Sequence, residues 1–196
     1  ALHYVHEAKG VGGKPLDIVH RDVSPHNVML SWSGAVKLLD FGIAKTSADA
    51  TQAGKLVGKY GYMSPEQAQG KSVDPRSDVF ALGIVLYEAL TGKALYDRST
   101  LLATLAAIVR EPTPSLRAER PELPAGLDRI LARALAKDPA QRFRSAGEMR
   151  AALVRTLRSN GQTVTDQRIA LVLEGLFDDR DKRPLPDGSR QLTGSF

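Results

Sequence analysis

Apolar positions fall into an extended pattern early in the chain and a helical one later. Val28, Met29 and Leu30 form a short run, turn residues occupy 31–34, and Val36, Leu38 and Leu39 form a second run. Within the extended segment from Ile18 to Asp40 this predicts a small two-stranded ribbon. Ahead of it, Leu2, Tyr4, Val5 and His6 read as the last turns of a helix broken by Gly10, Gly12 and Gly13. Residues 43–64 carry few large apolar side chains and many Gly, Ser, Thr, Ala and Lys, which predicts a long loop of functional length.

Helices dominate the remainder. Ser77 is a candidate N-cap for a helix to about Leu90, stopped at Gly92, with Val79, Phe80, Leu82, Ile84, Val85 and Leu86 covering nearly every face. Such a helix must be buried on all sides. Leu101, Leu105, Ile108 and Val109 form another stripe, and a proline-rich connection follows from Pro112 to Pro124. Leu127, Ile130, Leu131, Ala134 and Leu135 recur at helical spacing before Asp138-Pro139. Ser145 and Glu148 have the spacing of a capping box ahead of Met149, Ala152, Leu153 and Leu157, and Gly161 closes that region. A last stripe of Ile169, Val172, Leu173, Leu176 and Phe177 reads as a helix docked on the rest, and from Asp178 the composition is that of a loose tail.

With 196 residues, 42% hydrophobic and 25% charged, the chain has the makeup of one globular domain. It has no cysteine, so disulfides, thiolate nucleophiles and cysteine zinc sites are excluded, and a reducing, cytoplasmic setting is expected. The longest apolar stretch, 79–90, is far short of the roughly 20 residues that span a bilayer. The formal charge of +5 is scattered, with no basic run or interleaved aromatics, so nucleic acid is not an expected partner.

Chemistry concentrates in His20-Arg21-Asp22-Val23-Ser24-Pro25-His26-Asn27, followed by Asp40-Phe41-Gly42 and then Ser64-Pro65-Glu66. Asn27 lies five positions after Asp22, and Asp40 lies 13 positions after Asn27, with the ribbon between them. Together, in this order and spacing, the three motifs resemble the signature set of the protein kinases. The resemblance covers about residues 1–157 and implies a mainly helical C-terminal lobe with a small β ribbon, the N-terminal lobe being absent from this chain. It further implies a C-terminal extension over 158–177 and a tail over 178–196.

The resemblance implies a serine/threonine kinase using ATP and Mg2+, with protein substrates and an N-lobe partner in a longer parent chain. By position Asp22 is the base for the substrate hydroxyl, Asn27 and Asp40 hold magnesium, and Met29 and Lys45 join them at the nucleotide. His20 and Phe41 match core-stacking side chains, with Gly42 completing its motif. Asp78 matches the carboxylate that holds the catalytic loop, and Glu66 with Arg142 matches a buried ion pair. Arg21 is the residue that in many kinases receives a phosphate on the activation segment, for which Thr51 is a candidate.

Two positions depart from the family. Ser24 stands where serine/threonine kinases carry a lysine, and Lys59 stands where they carry a threonine, so an ammonium and a hydroxyl would have exchanged places. Lys59 and Ser24 are therefore counted among the catalytic candidates. Pro25 follows the serine/threonine loop pattern. The competing expectation is a catalytically inactive C-lobe that binds proteins, because no glycine-rich loop or lysine–glutamate pair is present in the sequence.

Overall fold

The computed structural model describes residues 1–40 and 60–177. The chain divides into two compact units, one of Ala1–Met29 with Lys37–Thr163 and one of Leu30–Val36 with Val164–Phe196. The expectation of a loose tail from 178 lies outside the described residues.

The first unit opens with α1 (Leu2–His6) and a 3-10 turn at Pro25–Asn27. β1 (Val28–Leu30) and β2 (Val36–Leu38) form a two-stranded sheet, and its turn, in which the Ser31 amide donates to the Ala35 carbonyl at 2.9 Å, falls in the second unit. After a 3-10 turn at Tyr60–Tyr62 come α2 (Pro65–Ala68), α3 (Pro75–Thr91), α4 (Leu101–Arg110), α5 (Leu116–Glu119), α6 (Ala125–Ala134) and α7 (Ala146–Ser159).

The centre of this unit is α3, which touches three apolar clusters. Phe80, Ile84 and Tyr87 pack with Tyr96, Ile108, Leu116 and Leu131. Val79 joins Ile130, Ala134, Phe143 and Met149, and Ala81 joins Leu2, Val23 and Ala146. Apolar residues on nearly every face are thus accounted for over the first three turns, whereas Ala89 near the end is exposed. Burying a side chain such as Phe80 or Ile84 contributes roughly 1.5–3 kcal/mol each, so this helix anchors the unit. Gly83 permits the closest approach: a Cβ there would lie 3.0 Å from Leu135 Cδ2 and 3.1 Å from Ala134 Cβ.

Several local expectations are corrected. α3 is capped by Asp74, whose side chain accepts from the Arg76 amide, with Pro75 in the first turn; Ser77 lies inside the helix. Ser145 accepts from the Glu148 amide, but Glu148 Oε2 takes the Arg144 amide at 2.7 Å, so only half of that capping box forms. A complete box occurs instead at Ser64 and Gln67. On α4 the buried residues are Thr104, Ala107 and Ile108, and Leu101 is exposed. The proline-rich connection contains the short helix α5.

The second unit contains α8 (Asp166–Leu176), capped by the Thr165 side chain on the Arg168 amide. Of its expected stripe only Leu173 is buried, while Val172, Leu176 and Phe177 are exposed. Phe177 meets Trp32 edge to face, their ring centroids 5.5 Å apart. No helix among the described residues is long and apolar enough to cross a membrane.

Candidate active site

The loop from His20 to Asn27 is held from below by one carboxylate. Asp78, 1% exposed in the first turn of α3, accepts the His20 amide on Oδ2 at 2.7 Å and the Arg21 amide on Oδ1 at 2.9 Å. His6 Nε2 donates to the same Oδ2 at 2.8 Å, tying α1 to the loop. Arg21 has φ +65, a left-handed conformation that costs a residue with a Cβ about 1–2 kcal/mol. Side chains hold both of its backbone groups, since its carbonyl accepts from Gln67 Nε2 at 3.0 Å. The strain persists because the surroundings over-determine it.

His20 is fully buried and uses both ring nitrogens. Nδ1 accepts the Asp22 amide at 3.3 Å, which assigns the proton to Nε2, and Nε2 donates to the Leu39 carbonyl at 3.0 Å. The Leu39 amide in turn donates to the Asn27 carbonyl at 2.8 Å. These two bonds dock the end of the ribbon onto the loop, bringing Asp40, with φ +54, next to the segment that carries Asp22 and Asn27.

Asn27 sits 3% exposed in the 3-10 turn that Pro25 initiates. Its Nδ2 donates to the Asp22 carbonyl at 2.6 Å and to Asp22 Oδ2 at 3.1 Å. With both amide hydrogens directed at Asp22, Asn27 Oδ1 is left as an oxygen acceptor. An amide oxygen beside carboxylates is the donor set a hard divalent cation takes, so Asn27 and Asp40 fit magnesium chemically. Asp22 is half-buried, and Met29 on β1 is 53% exposed. Ser24 is fully buried, and its hydroxyl has no hydrogen-bond partner among the described residues.

A second carboxylate fixes the segment beyond the loop. Glu66 in α2 accepts Arg142 through both guanidinium arms, at 2.8 Å to Oε1 and 2.9 Å to Oε2, and Ser77 Oγ donates to Oε1 at 2.6 Å. Burial alone would raise the Glu66 carboxyl, but the Arg142 and Ser77 hydrogen bonds outweigh it and hold the group down at about 2. Arg142 also donates to the carbonyls of Ala136, Arg76 and Lys137, so the guanidinium is fully used. Nearby, Tyr62 donates to Glu88, and burial together with that carboxylate pushes the phenol upward.

Phe41, Gly42, Lys45, Thr51 and Lys59 lie outside the described residues. Asp22, Asn27, His20, Asp78 and Asp40 come together around the loop, Arg21 beside them is exposed, and Glu66 with Arg142 forms the neighbouring buried pair. Sequence reasoning missed His6, Gln67 and Ser77 as supports. Ser64 and Gln67 have the spacing of a capping box, which was the available signal for Gln67.

Comparisons with known proteins show the family of the chain. The family model described as protein kinase domain matches residues 1–153. A tyrosine-protein kinase of Myxococcus xanthus, MasK, is 48% identical over 147 residues, covering 74% of this chain and 23% of that protein. The serine/threonine-protein kinase PknB of Mycobacterium tuberculosis is 47% identical over 142 residues, 70% of this chain and 23% of the relative. The crystal structure of the Mycobacterium tuberculosis PknI kinase domain, a double mutant, superposes with a TM-score of 0.51 at 33% identity, covering 71% of this chain and 46% of that one. The chain thus spans about a quarter of the length of these curated relatives. A loop held by a buried carboxylate, the ribbon end at Leu39 bonded to that loop and a family match over most of the chain lead to one conclusion: this chain belongs to the protein kinase family.

Proposed function

We propose that this chain is the C-terminal lobe of a serine/threonine protein kinase, with residues 1–157 forming the lobe, 158–177 an extension and 178–196 a tail. In the proposed parent chain an N-lobe completes the nucleotide site. The observation that carries the reading is the bonding of Asn27 Nδ2 to Asp22, which orients the proposed base and leaves an oxygen for a cation.

In this reading Asp22 accepts a hydrogen bond from the substrate hydroxyl and takes its proton as that oxygen is phosphorylated. Asn27 and Asp40 hold Mg2+, while Met29 and Lys45 line the nucleotide. Mg-ATP supplies the phosphoryl group and neutralises charge on it. Asp78 and His20 act through the loop backbone, positioning Asp22 and Asp40. Phe41 is the core-stacking residue of its motif, which Gly42 completes, and Arg21 receives a phosphate on Thr51.

Serine and threonine are the proposed acceptors because Pro25 follows that loop pattern, although one of the relatives is named a tyrosine kinase and the other a serine/threonine kinase. Ser24 and Lys59 are proposed to exchange the family's lysine and hydroxyl. The buried Ser24 hydroxyl, without a hydrogen-bond partner among the described residues, supports this, since such a group is suited to receive an incoming ammonium.

The test is phosphoryl transfer by the parent protein. Asp22→Asn should lower turnover about 100-fold or more with folding unchanged. Unchanged turnover overturns the assignment, as does phosphotyrosine as the main product for the substrate class. For the exchange, Ser24→Lys and Lys59→Thr should each cripple transfer and together restore it; failure of the double variant to recover overturns it.

A further inference from the structure

Away from the catalytic loop, α6 and α7 enclose an open groove of about 240 Å3 whose floor is Ile130, Phe143 and Ala152. Three arginines, Arg129, Arg133 and Arg155, rim it. Gly126 creates the close helix contact at one end, because a Cβ there would lie 2.6 Å from Thr156 Cγ2.

Among the described residues the charge on this rim is not neutralised. Arg129 and Arg133 are four residues apart on one helix face, a like-charge spacing that is itself destabilising. Arg133 pairs with Glu148 at 2.8 Å and lies with Cζ 4.2 Å from the centre of the Phe143 ring. Asp128, the nearest acid along the helix, is turned to the Ser115 hydroxyl and the Leu116 amide. Arg129 and Arg155 have no ion pair among the described residues. Three guanidinium groups less one carboxylate leave a charge of +2 over an apolar floor.

We propose that this groove binds a phosphorylated peptide segment, the phosphate seated among Arg129, Arg133 and Arg155 and a neighbouring apolar side chain on Phe143 and Ile130. A phosphoserine or phosphothreonine carries about −1.5 to −2 charges and three acceptor oxygens, matching both the residual charge and the number of arginines. Guanidinium forks bind phosphate bidentately, and clusters of them are a recurring means of phosphopeptide recognition. A single carboxylate would leave one positive charge uncompensated. The site is independent of the phosphoryl-transfer reading.

The experiment is fluorescence anisotropy of a labelled peptide with one phosphoserine between leucines, titrated with the protein. Binding should weaken about tenfold or more for the unphosphorylated peptide, for a glutamate-substituted peptide and for Arg129→Ala/Arg155→Ala. Arg129→Lys/Arg155→Lys, which keeps the charge and removes the forks, should fall between, and serves as the folded control if the alanine variant loses its thermal transition. Absence of phosphopeptide binding overturns the proposal. Equal binding of the glutamate peptide, or wild-type binding by either double variant, does so as well.

Discussion

Arg142 grips both carboxylate oxygens of Glu66 across 76 positions of sequence, and neither residue has another ionic partner among the described residues. Arg142 is 2% exposed and Glu66 9%. Removing one member leaves the other charged and buried, so Arg142→Ala should cost about 3–5 kcal/mol, well beyond the 1 kcal/mol or less typical of surface pairs. Urea unfolding measures it, and a loss no larger than a surface pair's would contradict the burial argument.

The same pair sets a pH dependence. Glu66 has its carboxyl lowered from 4.5 in the unfolded chain to about 2 in the fold, so its contribution is complete above pH 4.5 and lost as pH falls toward 2. Acid unfolding of the wild type should therefore steepen in that window. Glu66→Gln should be less stable at neutral pH but flatter between pH 4.5 and 2, and parallel profiles would show that other carboxylates dominate.

Asp78→Asn tests the support of the catalytic loop. One amide side chain cannot replace a carboxylate that accepts on both oxygens, because its NH2 must face either the His20 and His6 donors or the Arg21 amide. The charge-assisted bonds are worth about 1.5–3 kcal/mol each, so a loss of about 3 kcal/mol is expected. Amide hydrogen exchange at His20 and Arg21 should accelerate, and unchanged protection there would show that the loop holds itself.

The fold was readable where one face of a helix meets one core. Leu127, Ile130, Leu131, Ala134 and Leu135 are all buried, as their spacing requires. It was misread where neighbours compete: Ser77 looked like a cap, yet Asp74 precedes Pro75 and caps the helix, which frees the Ser77 hydroxyl for Glu66. Leu101 was placed on the buried stripe, but at the first turn of α4 it is exposed and Thr104 takes the inner face. In the site, the register of the motifs pointed to Glu66 and Arg142 together, whereas periodicity cannot connect residues so far apart. His6 acts on the carboxylate of a distant segment, which no local pattern encodes, and the capping-box spacing of Gln67 signals its bond to Ser64 but not its reach to the Arg21 carbonyl.

Ser24→Ala removes a hydroxyl that is fully buried and has no hydrogen-bond partner among the described residues. Leaving such a group unsatisfied costs about 1–3 kcal/mol, and alanine occupies the same space less one oxygen. The variant should be more stable than wild type by about 1 kcal/mol in urea unfolding, while transfer by the parent protein falls if the hydroxyl serves the site. A destabilised variant would mean that the hydroxyl is satisfied in the fold.

Lys137 supplies the alkaline counterpart to Glu66. Its ammonium donates to the Ile108 carbonyl at 2.6 Å and to Tyr96 Oη at 2.8 Å, and stands 4.7 Å from the centre of the Tyr96 ring, with no carboxylate among the described residues bonded to it. Burial, with the Arg142 charge adding to it and Glu111 opposing, lowers the amine from 10.5 to about 8. Between those values the unfolded chain holds a proton that the folded chain has released, so stability should rise with pH from about 8 toward 10. Burial raises Tyr96 to about 12, which keeps its own titration above this interval in the fold. Lys137→Met keeps the apolar stem and removes the titrating group. Its denaturation midpoint should lose the rise seen in the wild type between pH 8 and 10, and an identical slope in both proteins would assign that rise to other groups.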